Sequence, residues 1–427
     1  MRILVLTNLY PPHYLGGYEV ICYTVVNELR ARGHDVSILT SNHGVVGPET
    51  YDAFERGVER SLRIHGFYGH PWLGIHRLYQ LEAHNNRILR NALARHAPEL
   101  VYVWNMGGLS KSMLFTLQEE NVPTVFYLSD HWIARGLRTD VWLRWWNSNT
   151  ATLRQRLLRQ MWTRLGLRQR CHAIAPTSAV EQLKFRRIYF CSRALRELTV
   201  RAGFAVDHGA IIYCPVDMRL YWGEPHWGAE PLRRLLYVGR LSADKGVMTA
   251  LRALAFLRGK FSGWLDIYGQ GETAYIAQLK RFADENQLPV TFASATMAEM
   301  PVVYRSHDAL LFTSEWDEPF ALTPLEAMGC GLPVIGTATG GSAEFFRDGE
   351  NALTYPAGNA HELAKRIQQL AENRALRQRI AVTGHCEARQ RFDVPVIVSQ
   401  IEEYLRETPA TWSEPLMNGC ISEPQCV

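Results

Sequence analysis

Short apolar runs and amphipathic stretches take turns along the whole chain. Arg2–Thr7 (RILVLT) has the length and apolar centre of a buried strand, and Tyr18–Arg32 follows with Ile21, Val25 and Leu29 at helical spacing. Gly33 supplies a helix stop, Val36–Thr40 a second strand, and Leu100–Trp104 and Thr124–Leu128 two more, with helical patterns between them. The second half repeats the scheme. Its strand candidates are Leu235–Val238, Trp264–Tyr268, Val290–Phe292, Ala309–Thr313 and Pro333–Gly336, separated by helical patterns at Val247–Leu257, Thr273–Glu285 and Leu322–Met328. Strands that alternate with helices form a parallel sheet with right-handed crossovers. The pattern predicts an α/β protein built from open parallel sheets.

A chain of 427 residues is too long for one ordinary core and suits two domains. Trp222–Pro231 (WGEPHWGAEP) lacks periodicity and holds two prolines, which places a linker at 222–231 between a first domain over 1–221 and a second over 232–390. Helical patterns at His361–Ala371, Ala375–Arg391 and Val394–Arg406 close the chain. The last of them, within 391–406, is a candidate to cross back to the first domain, and 407–427 reads as a flexible tail. Hydrophobic residues at 47% and charged residues at 21% are ordinary for a globular protein, and a net charge of +4 gives no ground to expect a nucleic-acid partner. Eight scattered cysteines without a CxxC or CxxH pair argue against a structural zinc site and a disulfide scaffold. The N-terminal apolar run stops at Pro11 and Pro12, short of a secretory signal, and no run is long enough to span a membrane. A cytoplasmic protein is the expectation.

The segment that carries most chemistry is Glu318-Pro-Phe-Ala-Leu-Thr-Pro-Leu-Glu326, after the strand candidate Ala309–Thr313. Pro319 and Thr323-Pro324 suit a loop that feeds a helix start, where free amides and the positive end of the dipole favour phosphate. The two carboxylates are pure acceptors that suit ribose and sugar hydroxyls. Alone, the pair is more often a solvated Glu and a helix-start Glu. A helix, a tight turn, a strand and a Gly340-Gly341 loop follow, and those glycines would let backbone approach a ligand. Upstream, Tyr237-Val-Gly239-Arg240-Leu-Ser-Ala-Asp-Lys245-Gly246 sets two cations across a glycine-flanked turn, so that both can face one crevice.

From Leu235 to about Leu370 the chain resembles the donor half of retaining glycosyltransferases of glycosyltransferase family 4, whose GT-B fold is two Rossmann-like domains facing across a cleft. The resemblance implies that Arg240 and Lys245 neutralise a donor diphosphate and that Glu326 holds the nucleotide ribose. It implies too that Glu318 lies near the donor sugar beside the amides of Phe320, Ala321 and Leu322, with Gly239 and Thr323 in the same nucleotide-binding set. Ala321 stands where the family commonly has Gly. Phe292-Ala-Ser-Ala-Thr-Met replaces an aliphatic-Gly stretch near the base, and Gly269-Gln-Gly271 matches a strand-end glycine turn.

In the first half, the loop Pro11-Pro-His-Tyr-Leu-Gly16-Gly17-Tyr-Glu matches the family's glycine loop, which implies contact of Gly16 and Gly17 with phosphate or sugar. Phe126-Tyr-Leu-Ser-Asp130-His131 falls where the family often has His-Asp. Asp130 carries over as a catalytic-site residue. Ser129 occupies the usual His position, so His131 either substitutes or merely packs. Residues 131–170 hold nine Arg, one acid (Asp140) and five Trp. That composition fits a membrane-surface or lipid-linked acceptor contact, a solvated helical face whose Trp residues pack on the core, or nucleic acid.

The resemblance implies retaining, metal-independent transfer from a UDP- or GDP-sugar to a glycan, lipid-linked or small-molecule hydroxyl. The nucleotide sugar is a co-substrate, and no cofactor is expected. A nucleotide-sugar epimerase of the same fold and a non-catalytic sugar-binding subunit are the alternatives. A dehydrogenase ranks last, because the first loop lacks GxGxxG.

Overall fold

The computed structural model describes residues 1–43, 57–67, 71–148, 152–224 and 232–409. Most of the linker segment 222–231 and of the tail 407–427 lies outside them. The first sheet has strands β1 (Arg2–Leu6), β2 (Asp35–Ser41), β3 (Val58–Leu62), β4 (Leu100–Val103), β5 (Thr124–Leu128), β6 (Ile188–Phe190) and β7 (Ala210–Ile211). The second has β8 (Arg234–Val238), β9 (Trp264–Tyr268), β10 (Val290–Ala293), β11 (Ala309–Phe312), β12 (Val334–Thr337) and β13 (Leu353–Tyr355). Their orders are β3-β2-β1-β4-β5-β6-β7 and β10-β9-β8-β11-β12-β13. Every ladder within them is parallel, with Val5 beside Ile38 and Tyr102, and Leu310 beside Leu236 and Val334.

The two orders determine where a ligand can sit. Each reverses direction once, between β1 and β4 in the first sheet and between β8 and β11 in the second. At such a reversal the loops leaving the two strands diverge to opposite faces and leave a crevice at the strand ends. The Gly16-Gly17 loop leaves β1, the Arg240–Lys245 turn leaves β8, and the Glu318 loop leaves β11. Both sheets are covered by helices, so their central strands are apolar throughout: Leu4, Val5, Leu6, Val101, Tyr102 and Val103 are buried, as are Leu235, Leu236, Leu310 and Leu311. Trp104 fills the first core, edge-on to Tyr127 at 4.5 Å and close to Tyr18 at 5.9 Å. The Tyr18 hydroxyl donates to the Tyr127 carbonyl at 2.6 Å.

The helix Arg374–Phe392 ends at Asp393, whose side chain caps the next helix, Val394–Arg406. That last helix lies against Gly17–Ala31 of the first domain. Its Glu402 accepts from His34 Nε2 at 2.9 Å and from Arg32 Nη1 at 3.0 Å, and Tyr404 donates to the Ile188 carbonyl at 2.9 Å. The hydrogen bond from His34, with Arg32 and Arg406 behind it, holds the Glu402 carboxyl below its ordinary value. A depressed carboxyl stabilises the fold above its ordinary value of 4.5, and that stability is lost as pH falls through the lower folded value. Glu402→Gln is therefore expected to cost about 1 kcal/mol at neutral pH, roughly 2–4 °C in Tm. Thermal melts across pH should show the gap closing well below pH 4.5.

Candidate functional site

Three loops meet in the cleft. After β11 the chain runs Thr313-Ser-Glu-Trp-Asp-Glu318. Thr313 Oγ1 donates to the Lys245 carbonyl at 2.8 Å, Glu315 N donates to the Asp244 carbonyl at 2.8 Å, and Thr249 Oγ1 donates to Glu315 Oε1 at 2.5 Å. These bonds fasten the Glu318 loop to the turn that carries Lys245. Gly246 makes the closeness possible: its φ is +65°, and a Cβ there would stand 2.0 Å from the Thr313 carbonyl oxygen. Lys245 Nζ reaches Glu318 Oε1 in a tight ion pair, and Ser314 Oγ donates to the same oxygen at 2.8 Å. Glu318 is only 6% exposed. Lys245 also stands 5.1 Å over the Trp316 ring.

Past Glu318 the amides of Phe320, Ala321 and Leu322 find no acceptor among the described residues, and Thr323 opens the helix Thr323–Gly329. Glu326, in the first turn of that helix, accepts from the Tyr304 hydroxyl at 2.7 Å, with Tyr221 also hydrogen-bonded to it. Burial raises the Glu326 carboxyl, and the two tyrosine hydroxyls offset part of the rise. Arg240 points elsewhere. Its guanidinium is 56% exposed and bonds Ser242 Oγ at 3.2 Å and Asp244 Oδ2 at 3.2 Å. The two cations therefore share a turn, but only Lys245 touches Glu318. Gly239 has φ +156°, and its carbonyl oxygen would lie 1.9 Å from a Cβ on Gly269. Gly271 is held the same way against the Leu241 carbonyl at 2.0 Å, so this glycine turn serves the close approach of the loops after β8 and β9.

Gly340 and Gly341 have a different task from the expected ligand approach. Gly341 N donates to the Glu318 carbonyl at 2.7 Å. A Cβ on Gly340 would meet the Glu318 oxygen at 2.4 Å, and one on Gly341 the Pro319 oxygen at 2.1 Å. The pair buttresses the Glu318 loop: on the side where a Cβ would project, the protein's own backbone fills the space.

The first domain supplies the opposite wall. Gly17 lies so close to the Leu322 side chain that a Cβ would stand 2.8 Å from Leu322 Cδ1, while Gly16 has open space beside it. Glu19, buried in the first helical turn, accepts from Gly16 N at 3.1 Å and Leu15 N at 3.3 Å and so shapes the glycine loop. Asp130 Oδ1 accepts from Trp132 N at 2.9 Å. Burial, with the Glu19 charge nearby, pushes the Asp130 carboxyl up to about 6, against the Trp132 amide and Lys111. The His131 ring meets Trp316 edge-on at 5.5 Å, across the cleft. Burial and Arg135 push the imidazole down to about 4, against the pull of Asp317 and Glu318, so it is neutral at physiological pH. Both its ring nitrogens, Ser129 Oγ and Trp316 Nε1 are buried without a partner among the described residues. Buried polar atoms normally have partners, so these four atoms are available to bond a polar ligand.

The two walls also touch away from the cluster. Ala194 N donates to Glu344 Oε1 at 3.0 Å, and Tyr213 stacks on Phe320 at 5.4 Å. Among the described residues no cluster of His, Cys, Asp and Glu could hold a metal ion, and no helix is long and apolar enough to cross a membrane.

Residues 15–220 match the family described as Glycosyltransferase Family 4, and residues 228–385 match Glycosyl transferases group 1. The chain is a family 4-type glycosyltransferase of the GT-B fold. Spore coat protein SA of Bacillus subtilis (strain 168) is 27% identical over 219 residues, 46% of this chain and 58% of its own. The lipopolysaccharide core biosynthesis glycosyltransferase LpsE of Rhizobium meliloti (strain 1021) is 32% identical over 153 residues, 35% of this chain and 43% of its own. The chain thus spans about half the length of these two relatives. Glycogen synthase of Mycobacterium tuberculosis is 24% identical over 402 residues, 92% of this chain and 91% of its own. Among solved structures, Anabaena Alr3699/HepE in complex with UDP and glucose has TM-score 0.65 at 22% identity, over 95% of this chain and 100% of its own. WaaG, a glycosyltransferase involved in lipopolysaccharide biosynthesis, has TM-score 0.61 at 18% identity, over 95% and 100%.

In this family 4 chain, sequence reasoning missed Trp316, Tyr304, Tyr221 and the loop-shaping Glu19. Trp316 had a signal, a large aromatic two residues before Glu318 in an otherwise polar loop. Asp130 offers a direct check. A carboxyl raised in the fold stabilises it fully below its ordinary 3.8, and that advantage is lost as pH rises through about 6. Asp130→Asn, whose amide oxygen can still accept from Trp132, should therefore be more stable than the parent above pH 6, by on the order of 2 kcal/mol. The gain should shrink towards zero as pH falls to 4, which chemical unfolding at several pH values measures.

Proposed function

We propose that the protein transfers a sugar from a UDP- or GDP-sugar to an acceptor hydroxyl with retention of anomeric configuration, without a metal ion. The observation that carries this reading is the pairing of Lys245 with Glu318 next to three consecutive amides that have no acceptor among the described residues. A cation and aligned amides answer the charge that builds on a departing diphosphate. Arg240, at the exposed mouth of the same turn, answers the outer phosphate charge. Glu326 takes the ribose hydroxyls, and Glu318 faces the sugar. The C1–O bond to the diphosphate breaks while the acceptor oxygen bonds C1 on the same face, and the acceptor proton passes to the leaving phosphate oxygen. Asp130, neutral His131, Gly16 and Gly17 close the sugar and acceptor side. The acceptor is a glycan, a lipid-linked sugar or a small molecule. The UDP and UDP-glucose complexes of Anabaena Alr3699/HepE support the nucleotide class.

Thermal shift against UDP-, GDP-, ADP- and dTDP-sugars identifies the donor, since ligand at about 100-fold over Kd adds roughly 2.7 kcal/mol. Glu318→Gln should keep that shift and lose acceptor-dependent release of nucleoside diphosphate. Unchanged turnover in Glu318→Gln, or an altered sugar nucleotide made without acceptor, would overturn the reading.

A further inference from the structure

The Arg- and Trp-rich segment divides into two parts. Trp132, Trp142, Trp145 and Trp146 are buried, and Trp142 Nε1 donates to the Pro176 carbonyl at 2.8 Å. Their role is packing. The helix Leu153–Arg164 is different. It leans on the core through Leu158 and Trp162, the latter 5.3 Å from Trp145. Its outer side is also apolar: Leu153, Leu157, Met161 and Leu165 are 74%, 57%, 48% and 63% exposed. Spaced four residues apart, they form one stripe along the helix. A run of four large exposed aliphatic side chains is an interaction surface rather than scattered surface carbon.

Charge selects the partner. From Val141 through Val180 the sequence holds seven arginines and no aspartate or glutamate. Arg156 and Arg164 are exposed beside the stripe, and Arg170 is exposed on the helix that follows it. Arg159 and Arg168 are fixed lower down, donating to the Ser148 carbonyl at 2.9 Å and to Asn147 Oδ1 at 2.9 Å. An apolar stripe bordered by long cationic side chains matches the boundary between anionic headgroups and acyl chains, where the stripe sinks in and the arginines stay at the phosphates. Nucleic acid would leave the aliphatic stripe without a counterpart, and the tryptophans that could stack on bases are mostly inside the core.

We propose that the helix Leu153–Arg164 docks this protein onto an anionic lipid surface, with Leu153, Leu157, Met161 and Leu165 inserted. The docking is independent of the acceptor's identity. Flotation of the full-length protein with vesicles of phosphatidylglycerol and phosphatidylcholine, or of phosphatidylcholine alone, tests it. The parent should float with the anionic vesicles only, more weakly at high salt. Leu157→Glu with Met161→Glu should cut binding at least tenfold. Because both side chains are exposed, its melting temperature and donor-induced thermal shift should match the parent's. Arg156→Gln with Arg164→Gln should weaken binding and reduce its salt dependence. No flotation of the parent, or equal flotation of the double Glu variant, would overturn the proposal. So would a parent dimer, or a parent–RNA complex, that the double Glu variant abolishes.

Discussion

Lys245→Ala should lower turnover at saturating donor by about 10²–10³-fold, with a much smaller change in donor KM. Among the described residues Lys245 is the one cation in contact with Glu318, and it stands over Trp316 at the meeting point of the two walls. In the proposed reaction the negative charge is greatest as the diphosphate departs, so loss of Lys245 is expected to weigh on the transition state more than on the bound donor. Lys245→Arg should recover only part of the rate, because a planar guanidinium does not fit the space of a compact ammonium between Glu318 and the indole. Steady-state kinetics on both variants provide the check. A turnover within a few-fold of the parent for Lys245→Ala would remove Lys245 from the reaction.

Gly340→Ala should be the most damaging substitution that touches no ligand. Gly340 has φ +53°, where a side chain is strained, and the new Cβ would press on the Glu318 backbone at 2.4 Å from its oxygen and 2.7 Å from its nitrogen. Backbone cannot swing aside as a flexible side chain can. The expected cost is about 2–4 kcal/mol, with a further drop in turnover of roughly 10²-fold as Glu318 shifts. Gly349→Ala makes the control. Its φ is +73° but nothing lies within 4 Å of the new Cβ, so it carries strain alone. It should melt about 1 kcal/mol lower and keep its turnover. Equal activity losses in the two variants would show that global destabilisation, not the Glu318 loop, explains the effect.

The strands legible in the sequence are those buried on both faces, such as β1, β4, β8 and β11, because their apolar runs have no polar interruption. Four strands at or next to a sheet edge were not legible, because they are short or carry polar residues, although the edge strand β10 was. β3 reads VERSL, with Glu59 paired to Arg95 and Arg60 donating to the Tyr10 and Pro11 carbonyls, β7 is two residues long, and β6 and β13 have three each. Candidate site residues were legible where they sit in local motifs, as with Glu318, Glu326 and Lys245, though not that Arg240 turns away from Glu318. The site was hidden where it depends on residues distant in sequence. Tyr304 is 22 positions before its partner Glu326, and His131 meets Trp316 across the cleft. The packing role of Gly340 was hidden for the same reason. A glycine pair in a loop says that something comes close, and only the packing reveals that it is the Glu318 backbone.

The return of the last helix constrains how the cleft can move. The chain leaves the first domain past Val216 and comes back at Asp393, and the two passages run side by side. Val216 N donates to the Phe392 carbonyl at 2.8 Å, and Met218 N to Asp393 Oδ1 at 3.3 Å. Two bodies joined by two adjacent threads have one cheap motion, a swing about the line of the threads. Sliding or pulling apart would break the bridge between them. A swing about that line is the motion these two bonds leave to the walls carrying Lys245 and His131.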